Sequence, residues 1–238
     1  MMTLWSCEHC IVVDKPPGLL VHNSAWAGPP ERTLTDMVRE STAEPCVPVH
    51  RLDRGTSGAL VFARSSTVAA IVTASVADVK HYLAIVRGRP VGPLSIDHPL
   101  DDDDVPGSPR KASRSRLLPV ASSLVERVSL VVMTLWTGRR HQARRHCKHV
   151  SHPIIGDATH GKGPINRDLA ARYALNRLAL HAWRISVEDV TVVAPLPADW
   201  LQPLAALFGG VDVVSAAEAA LAGAPPEDRP EGLSALET

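Results

Sequence analysis

The chain has 238 residues, 45% of them hydrophobic, with 25 Lys+Arg against 25 Asp+Glu, which is enough for one domain, or one plus a small appendage, with a sizeable core. No apolar run approaches the roughly 18 residues of a membrane span, and the N-terminus carries no signal-peptide pattern, so a membrane partner is excluded and a cytoplasmic protein is expected. Zero net charge argues against a nucleic-acid partner only until its distribution is read. From residue 211 onward six acids face one base, leaving 24 Lys+Arg against 19 Asp+Glu before it, and between Glu126 and Asp157 stand six basic residues and no acid. Such a local positive patch suits phosphate contacts.

In chain order, Cys7-x-x-Cys10 comes first. It has the spacing of half a zinc site, but no second Cys-x-x-Cys pairs with it, so isolated thiols and no metal are expected. Ile11–Val13 reads as a short buried strand, ended by Asp14-Lys15-Pro16-Pro17-Gly18, and Leu19–His22 resumes as an extended segment. Thr33 caps a short helix through about Glu40. After a loop over 43–48, the charged stretch His50-Arg51-Leu52-Asp53-Arg54-Gly55-Thr56-Ser57-Gly58 feeds Ala59–Ala63, a buried strand. Apolar residues at 68, 71, 72, 76 and 79 predict a helix over 66–79, and Lys80–Gly88 is a strand with a basic start.

The acidic run 101–104 is expected to be solvated, and Arg110, Lys111, Arg114 and Arg116 to form a basic mobile segment. Leu124–Trp136 carries one or two strands, Gly138 breaks the pattern, and His141 to about Val150 is a helix. Trp183–Val187 is another strand, and Asp199 caps a last helix through Leu207. Residues 209–238 are rich in Ala, Pro and Glu, which predicts a frayed, disordered tail. Strands outnumber clear helices without regular βαβ alternation. An α+β fold with a mixed, largely antiparallel sheet flanked by helices follows.

Two stretches carry chemistry. An Asp between two arginines is most often a surface ion pair, and Thr137-Gly138-Arg139-Arg140-His141-Gln142-Ala143-Arg144-Arg145-His146 taken alone is a basic surface helix. Its spacing puts His141, Arg144 and Arg145 on one face. His141, His146, His149 and His152 with Cys147 also suggest a metal site, His146 and His149 standing three apart at a possible ligand spacing, but Arg144, Arg145 and Lys148 beside them make a field hostile to a dication. No Walker-type phosphate loop and no Rossmann fingerprint occurs. Cys7-Glu8-His9-Cys10 does not supply the His/Cys-x-Glu and Pro-Cys-x-x-Cys pairing of a zinc-dependent base deaminase.

Together these stretches resemble the RluA-type pseudouridine synthases. His50-Arg51-Leu52-Asp53-x-x-Thr56-Ser57-Gly58 is similar to the family's His-Arg-Leu-Asp-x-x-Thr-Ser-Gly, and residues 137–146 to Thr-Gly-Arg-x-His-Gln-x-Arg-x-His, with Ala143 where a larger residue is usual. Lys80-x-Tyr82-x-Ala84, Ser151-His152-Pro153-Ile154-Ile155-Gly156-Asp157 and Leu178-x-Leu180-His181-Ala182 resemble three further family segments. The resemblance covers about residues 8–208, read as one catalytic domain with a bent mixed sheet and a cleft across its middle.

It implies that Asp53 is the catalytic carboxylate, that Arg144 pairs with it, and that Tyr82 stacks on the target base. Leu178 and Leu180 would line the pocket, and Arg51 would fill the stack vacated by an extruded base. His50, Arg54, Lys15, Lys80, Arg139, Arg140, His141, Gln142 and Arg145 are expected to bind RNA or base, with Lys148 on backbone phosphates. Ser151-His152, Thr159-His160-Gly161 and Asn166-Arg167 look most like the branch that modifies uridine 65 of tRNA. A large-subunit rRNA enzyme of the same family, or a non-catalytic RNA-binding protein, are the alternatives. Isomerising uridine oxidises nothing and donates no group, so no cofactor is expected. A monomer is expected too, because no hydrophobic stripe is left over.

Overall fold

The computed structural model describes residues 2–23, 29–101, 105 and 107–224. Among these residues ten strands form one sheet: β1 (Met2–Ser6), β2 (Cys10–Lys15), β3 (Val47–Pro48), β4 (Ser57–Ala63), β5 (Val76–Arg87), β6 (Leu94–Asp97), β7 (Arg114–Ser122), β8 (Val128–Leu135), β9 (Leu180–Val187) and β10 (Val190–Val193). Helices α1 (Leu34–Thr42), α2 (Ala69–Ser75), α3 (Gln142–His149), α4 (Gly163–Tyr173), α5 (Ala198–Phe208) and α6 (Val213–Ala222) flank it. The main path runs β1-β2-β4-β9-β5-β8-β7-β6, with β3 beside β4 and β10 beside β9. This is the α+β fold with a largely antiparallel sheet that the sequence implies.

One pairing is parallel among the described strands. β4 meets β9 over two rungs, Ser57 opposite His181 and Gly58 opposite Ala182. Beyond them β4 continues with β2 and β3, while the far half of β9 pairs with β10. The sheet therefore splits and bends at this junction. Gly58 permits it: its φ is +110°, and a Cβ there would come within 2.1 Å of the Ala182 carbonyl oxygen, a space only glycine leaves open. Side chains of β2 and β4 alternate between two apolar clusters, Ile11, Val13, Leu60 and Phe62 on one face and Cys10, Val12, Val61 and Ala63 on the other. That is the two-residue period of strands covered on both faces.

Several expectations need correction. The helix predicted over 66–79 lasts only from Ala69 to Ser75, and at Val76 the chain is already in β5, opposite Val187 of β9. Valines at 68, 72, 76 and 79 satisfy helical spacing yet favour extended backbone. Arg114 and Arg116 are not mobile; they lie in β7, with Arg116 buried. Leu19–His22 forms no strand. The carbonyls of Leu20 and Val21 instead accept from the Leu34 and Thr35 N–H groups at the start of α1, behind the Thr33–Asp36 capping box.

Asp199 does not cap α5, which Pro197 precedes; its carboxylate accepts from Arg177 Nε at 2.6 Å and Nη2 at 3.0 Å. Nor is α5 the last helix. The tail expected to fray from 209 holds α6, capped by Asp212, burying Val213 and Ala217 against the core and tied by Glu218 to Arg184 at 2.8 Å. Alanine-rich sequence looks like low complexity, but alanine is the strongest helix former and needs only a surface to pack on. Residues 225–238 lie outside the described residues, as do 102–104 of the acidic run. Among the described residues no single helix is long and apolar enough to cross a membrane.

Candidate active site

Asp53 stands in the turn that enters β4, at the bend of the sheet. Thr56 N–H donates to the Asp53 carbonyl at 3.0 Å, closing the turn, and Leu52 anchors it in the core. Lys15, fully buried at the end of β2, fixes it from below: its ammonium donates to the carbonyls of Thr56 at 2.7 Å, Pro16 at 3.0 Å and Arg54 at 3.1 Å. Burial pulls this lysine down to about 7, against the opposing pull of the Asp53 carboxylate. Gly18 N–H and the Arg54 carbonyl meet at 2.8 Å, so the Pro-Pro-Gly turn and the Asp53 turn interlock.

From across the cleft, α3 delivers Arg144. Its Nη1 donates to Asp53 Oδ2 at 3.1 Å, while Nε and Nη2 make a bidentate pair with Asp157 at 2.8 and 2.9 Å. Burial opposes the charge on Arg144, but the bonds to Asp157, and Asp53 behind them, hold the guanidinium above its ordinary range. Burial likewise works against the Asp157 carboxylate; Arg144 and the N–H groups of His160 and Thr159, each at 2.9 Å, outweigh it and hold it below the usual range. One guanidinium thus bridges two carboxylates, one enclosed and one facing the cleft, a geometry that a planar fork supports and an ammonium does not. His141, the left-handed residue before α3, brings Nε2 to 3.9 Å from Asp53 Oδ1.

The cleft is about 290 Å³ and is lined by Asp53, Arg144, Tyr82, Leu180, Arg51 and His50, with Lys80, Arg139, Arg140, His141 and Gln142 around them. Tyr82 is on β5 and Leu180 on β9, so the walls come from both sides of the bend. Burial raises the Tyr82 hydroxyl and Asp53 adds to the effect, which keeps the phenol neutral. His50 takes the Val61 N–H at 3.2 Å, and burial lowers it to about 3, so it is a neutral acceptor.

The sequence expectations divide at this point. Lys15 and Gln142, expected to bind RNA or base, have their polar groups engaged by the protein's own chain. Gln142 accepts from Thr137 Oγ1 at 2.7 Å and Arg139 N–H at 3.0 Å, and donates to the Arg114 carbonyl at 2.9 Å, shaping the loop over the cleft. Arg145 pairs with Asp101, so the acidic run is not merely solvated there. Leu178 packs against Gly55 rather than in the cleft, and Arg54 reaches Gly18 and Glu31. The histidines of the metal reading are spent separately. His146 bonds Ser115 at 2.6 Å and the His98 carbonyl at 3.0 Å, His149 stacks on His98, and His152 bonds the Arg87 carbonyl at 2.9 Å.

Sequence reasoning gave no role to Asp157, or to Ser57, whose hydroxyl meets His181 Nδ1 at 2.9 Å across the parallel junction. The signal for Asp157 was its place after Gly156, whose φ of +76° and closeness to the Arg177 carbonyl admit no side chain. A backbone so constrained fixes the carboxylate that follows it.

The family model for RNA pseudouridylate synthase matches residues 9–149. The chain is 36% identical to a tRNA pseudouridine synthase C of Pasteurella multocida, over 83% of this chain and 92% of that protein. It is 38% identical to one of Vibrio cholerae, over 74% and 80%. Among solved structures, human RNA pseudouridylate synthase domain containing 1 superposes with a TM-score of 0.68 at 25% identity, over 94% of this chain and 95% of that one.

Proposed function

The chain belongs to the RNA pseudouridylate synthase family and is an RNA pseudouridine synthase, and from that premise we propose that it converts a uridine of tRNA, at position 65, with Asp53 as the catalytic carboxylate. The observation that carries this reading is the Asp53 carboxylate facing the cleft, held by Arg144 at 3.1 Å between Tyr82 and Leu180. The relatives that share most of its length are named for tRNA.

The reaction breaks the bond from ribose C1′ to uracil N1, turns the base, and rejoins it through C5. Asp53 acts on the ribose, as nucleophile at C1′ or as base at C2′. The target base must leave its stack, at a cost of a few kcal/mol that stacking on Tyr82 and phosphate contacts offset. Arg51, which is exposed and lines the cleft, fills the vacated space. Arg139, Arg140 and Lys148 bind backbone phosphates, which makes binding salt-dependent.

The test is pseudouridine mapping on tRNA and rRNA incubated with purified protein and no added cofactor. Conversion at tRNA uridine 65 is expected. Conversion confined to rRNA would keep the chemistry and overturn the substrate; RNA binding without conversion of either would overturn the catalytic role.

A further inference from the structure

Outside the cleft, the fold completes what the sequence left as half a site. Cys7 and Cys10 flank the turn between β1 and β2, Cys7 N–H donating to the Cys10 carbonyl at 2.9 Å. The turn brings the two sulfurs to 3.5 Å, with Cys10 N–H donating to Cys7 Sγ at 3.4 Å. The β9–β10 hairpin, 178 residues further on from Cys10 in the chain by the numbering of Glu188, arrives at the same point. Glu188 Oε2 lies 3.0 Å from Cys7 Sγ, and its other oxygen lies 3.3 Å from His9 Nδ1. The ligand atoms of Cys7, Cys10 and Glu188 all fall within 4.8 Å of one another.

We propose that Cys7, Cys10 and Glu188 bind a zinc-class divalent cation as its three protein ligands, with the fourth position going to water. Tetrahedral zinc with bonds of about 2.3 Å to sulfur sets two thiolates about 3.8 Å apart, close to the spacing already present. Two soft thiolates with one carboxylate suit zinc and not magnesium or calcium. Charge fits as well. Two thiolates and a carboxylate around a dication leave one negative charge, and Arg64, whose Nε donates to the Cys7 carbonyl at 2.8 Å, stands beside them.

The backbone is arranged for this contact. Glu188 and Asp189 both adopt left-handed conformations, with φ of +47° and +61°, where a two-residue hairpin normally takes Asn or Gly. A Glu in that position projects from the hairpin tip onto the two thiols. None of the three residues lines the cleft. The ion would therefore be structural, fastening the outermost strand β1 to the β9–β10 turn.

The experiment uses the full chain, reduced and stripped of metal, titrated with Zn²⁺ and separately with Co²⁺. One metal per chain is expected, with thiolate-to-cobalt charge-transfer absorption and the strong d–d bands of tetrahedral cobalt, and a higher Tm with zinc. Cys7→Ser and Cys10→Ser should abolish binding, and Glu188→Gln should weaken it about tenfold or more. All three should still form pseudouridine in RNA, which controls for folding. If buried Cys10→Ser fails that control, the half-buried positions Cys7 and Glu188 carry the test. No stoichiometric uptake by the reduced protein, uptake that survives Cys7→Ser, or a Cys7–Cys10 disulfide whose reduction yields no metal binding would each overturn the proposal.

Discussion

Replacing Asp157 by Asn isolates what the two-carboxylate clamp does. The Asp157 side chain is 1% exposed and accepts four hydrogen bonds, three at Oδ1 from Arg144 Nη2, Thr159 N–H and His160 N–H, and one at Oδ2 from Arg144 Nε. An amide has one oxygen. If it keeps the Oδ1 bonds, its NH₂ faces the Arg144 Nε–H across 2.8 Å, donor against donor. The variant thus loses one charge-assisted bond of about 1.5–3 kcal/mol, and half of the negative charge that compensates a buried guanidinium. Breaking such a buried pair outright costs about 3–5 kcal/mol, which sets the upper limit. Arg144 is then left with Asp53 as its carboxylate partner and can shift toward it. A displacement of about 1 Å at the reacting group lowers turnover about 100-fold. Single-turnover pseudouridine formation, read beside denaturant unfolding and RNA affinity, separates the effects: the rate should fall strongly, the affinity little. A variant that loses stability yet keeps a rate within a few-fold of wild type would show that Asp157 holds the fold and not the carboxylate.

Three other outcomes follow from the same geometry. Asp53→Asn should abolish turnover while RNA affinity stays within a few-fold, and substantial residual turnover in a mapped RNA would remove Asp53 from the chemistry. Gly58→Ala should be among the most damaging single changes, by about 4 kcal/mol or more, because its Cβ would lie 2.1 Å from a backbone oxygen; a normal Tm would contradict the close approach of β4 and β9. Lys15 is held down to about 7 when folded and sits near about 10.4 when unfolded, so between these values the unfolded chain binds more protons and stability rises with pH. Lys15→Met should remove that rise; equal slopes for both proteins between neutral and alkaline pH, by denaturant unfolding, would reject the assignment.

The residues that could be read from the sequence are those whose roles are written in short runs. The turn around Asp53, the run 137–146 and the Thr33 capping box each fit within about ten positions, and the structure assembles each locally. What stayed hidden depends on partners far along the chain. Gln142 and Lys15 look like RNA ligands by composition, but their polar atoms are spent on Thr137, Arg114, Thr56 and Arg54, which no local pattern names. Arg145 has the same periodicity as Arg144 and differs only in facing Asp101. The Cys7–Cys10 pair fails a search for a second Cys-x-x-Cys because the residue that joins it is a glutamate on another hairpin. Valines over 68–79 satisfy two periods at once, and the sheet partner Val187 decides between them at Val76.

Where the site lies follows from one requirement of the sheet. A continuous antiparallel sheet covered on both faces offers no opening for a base. This one opens because β4 and β9 run parallel for two rungs and then take different partners. Strand ends on either side of that split supply the walls: the turn before β4 presents Asp53, the start of β9 presents Leu180, and β5, which pairs along the other edge of β9, presents Tyr82. The junction is held by groups that need each other, Gly58 for clearance and Ser57 with His181 as a buried polar pair. Burial lowers His181 to about 4, so this pair stays neutral. The Thr-Ser-Gly that follows Asp53 is therefore part of the same device. Its glycine lets the sheet bend, its serine seals the bend, and the bend places the carboxylate in the cleft.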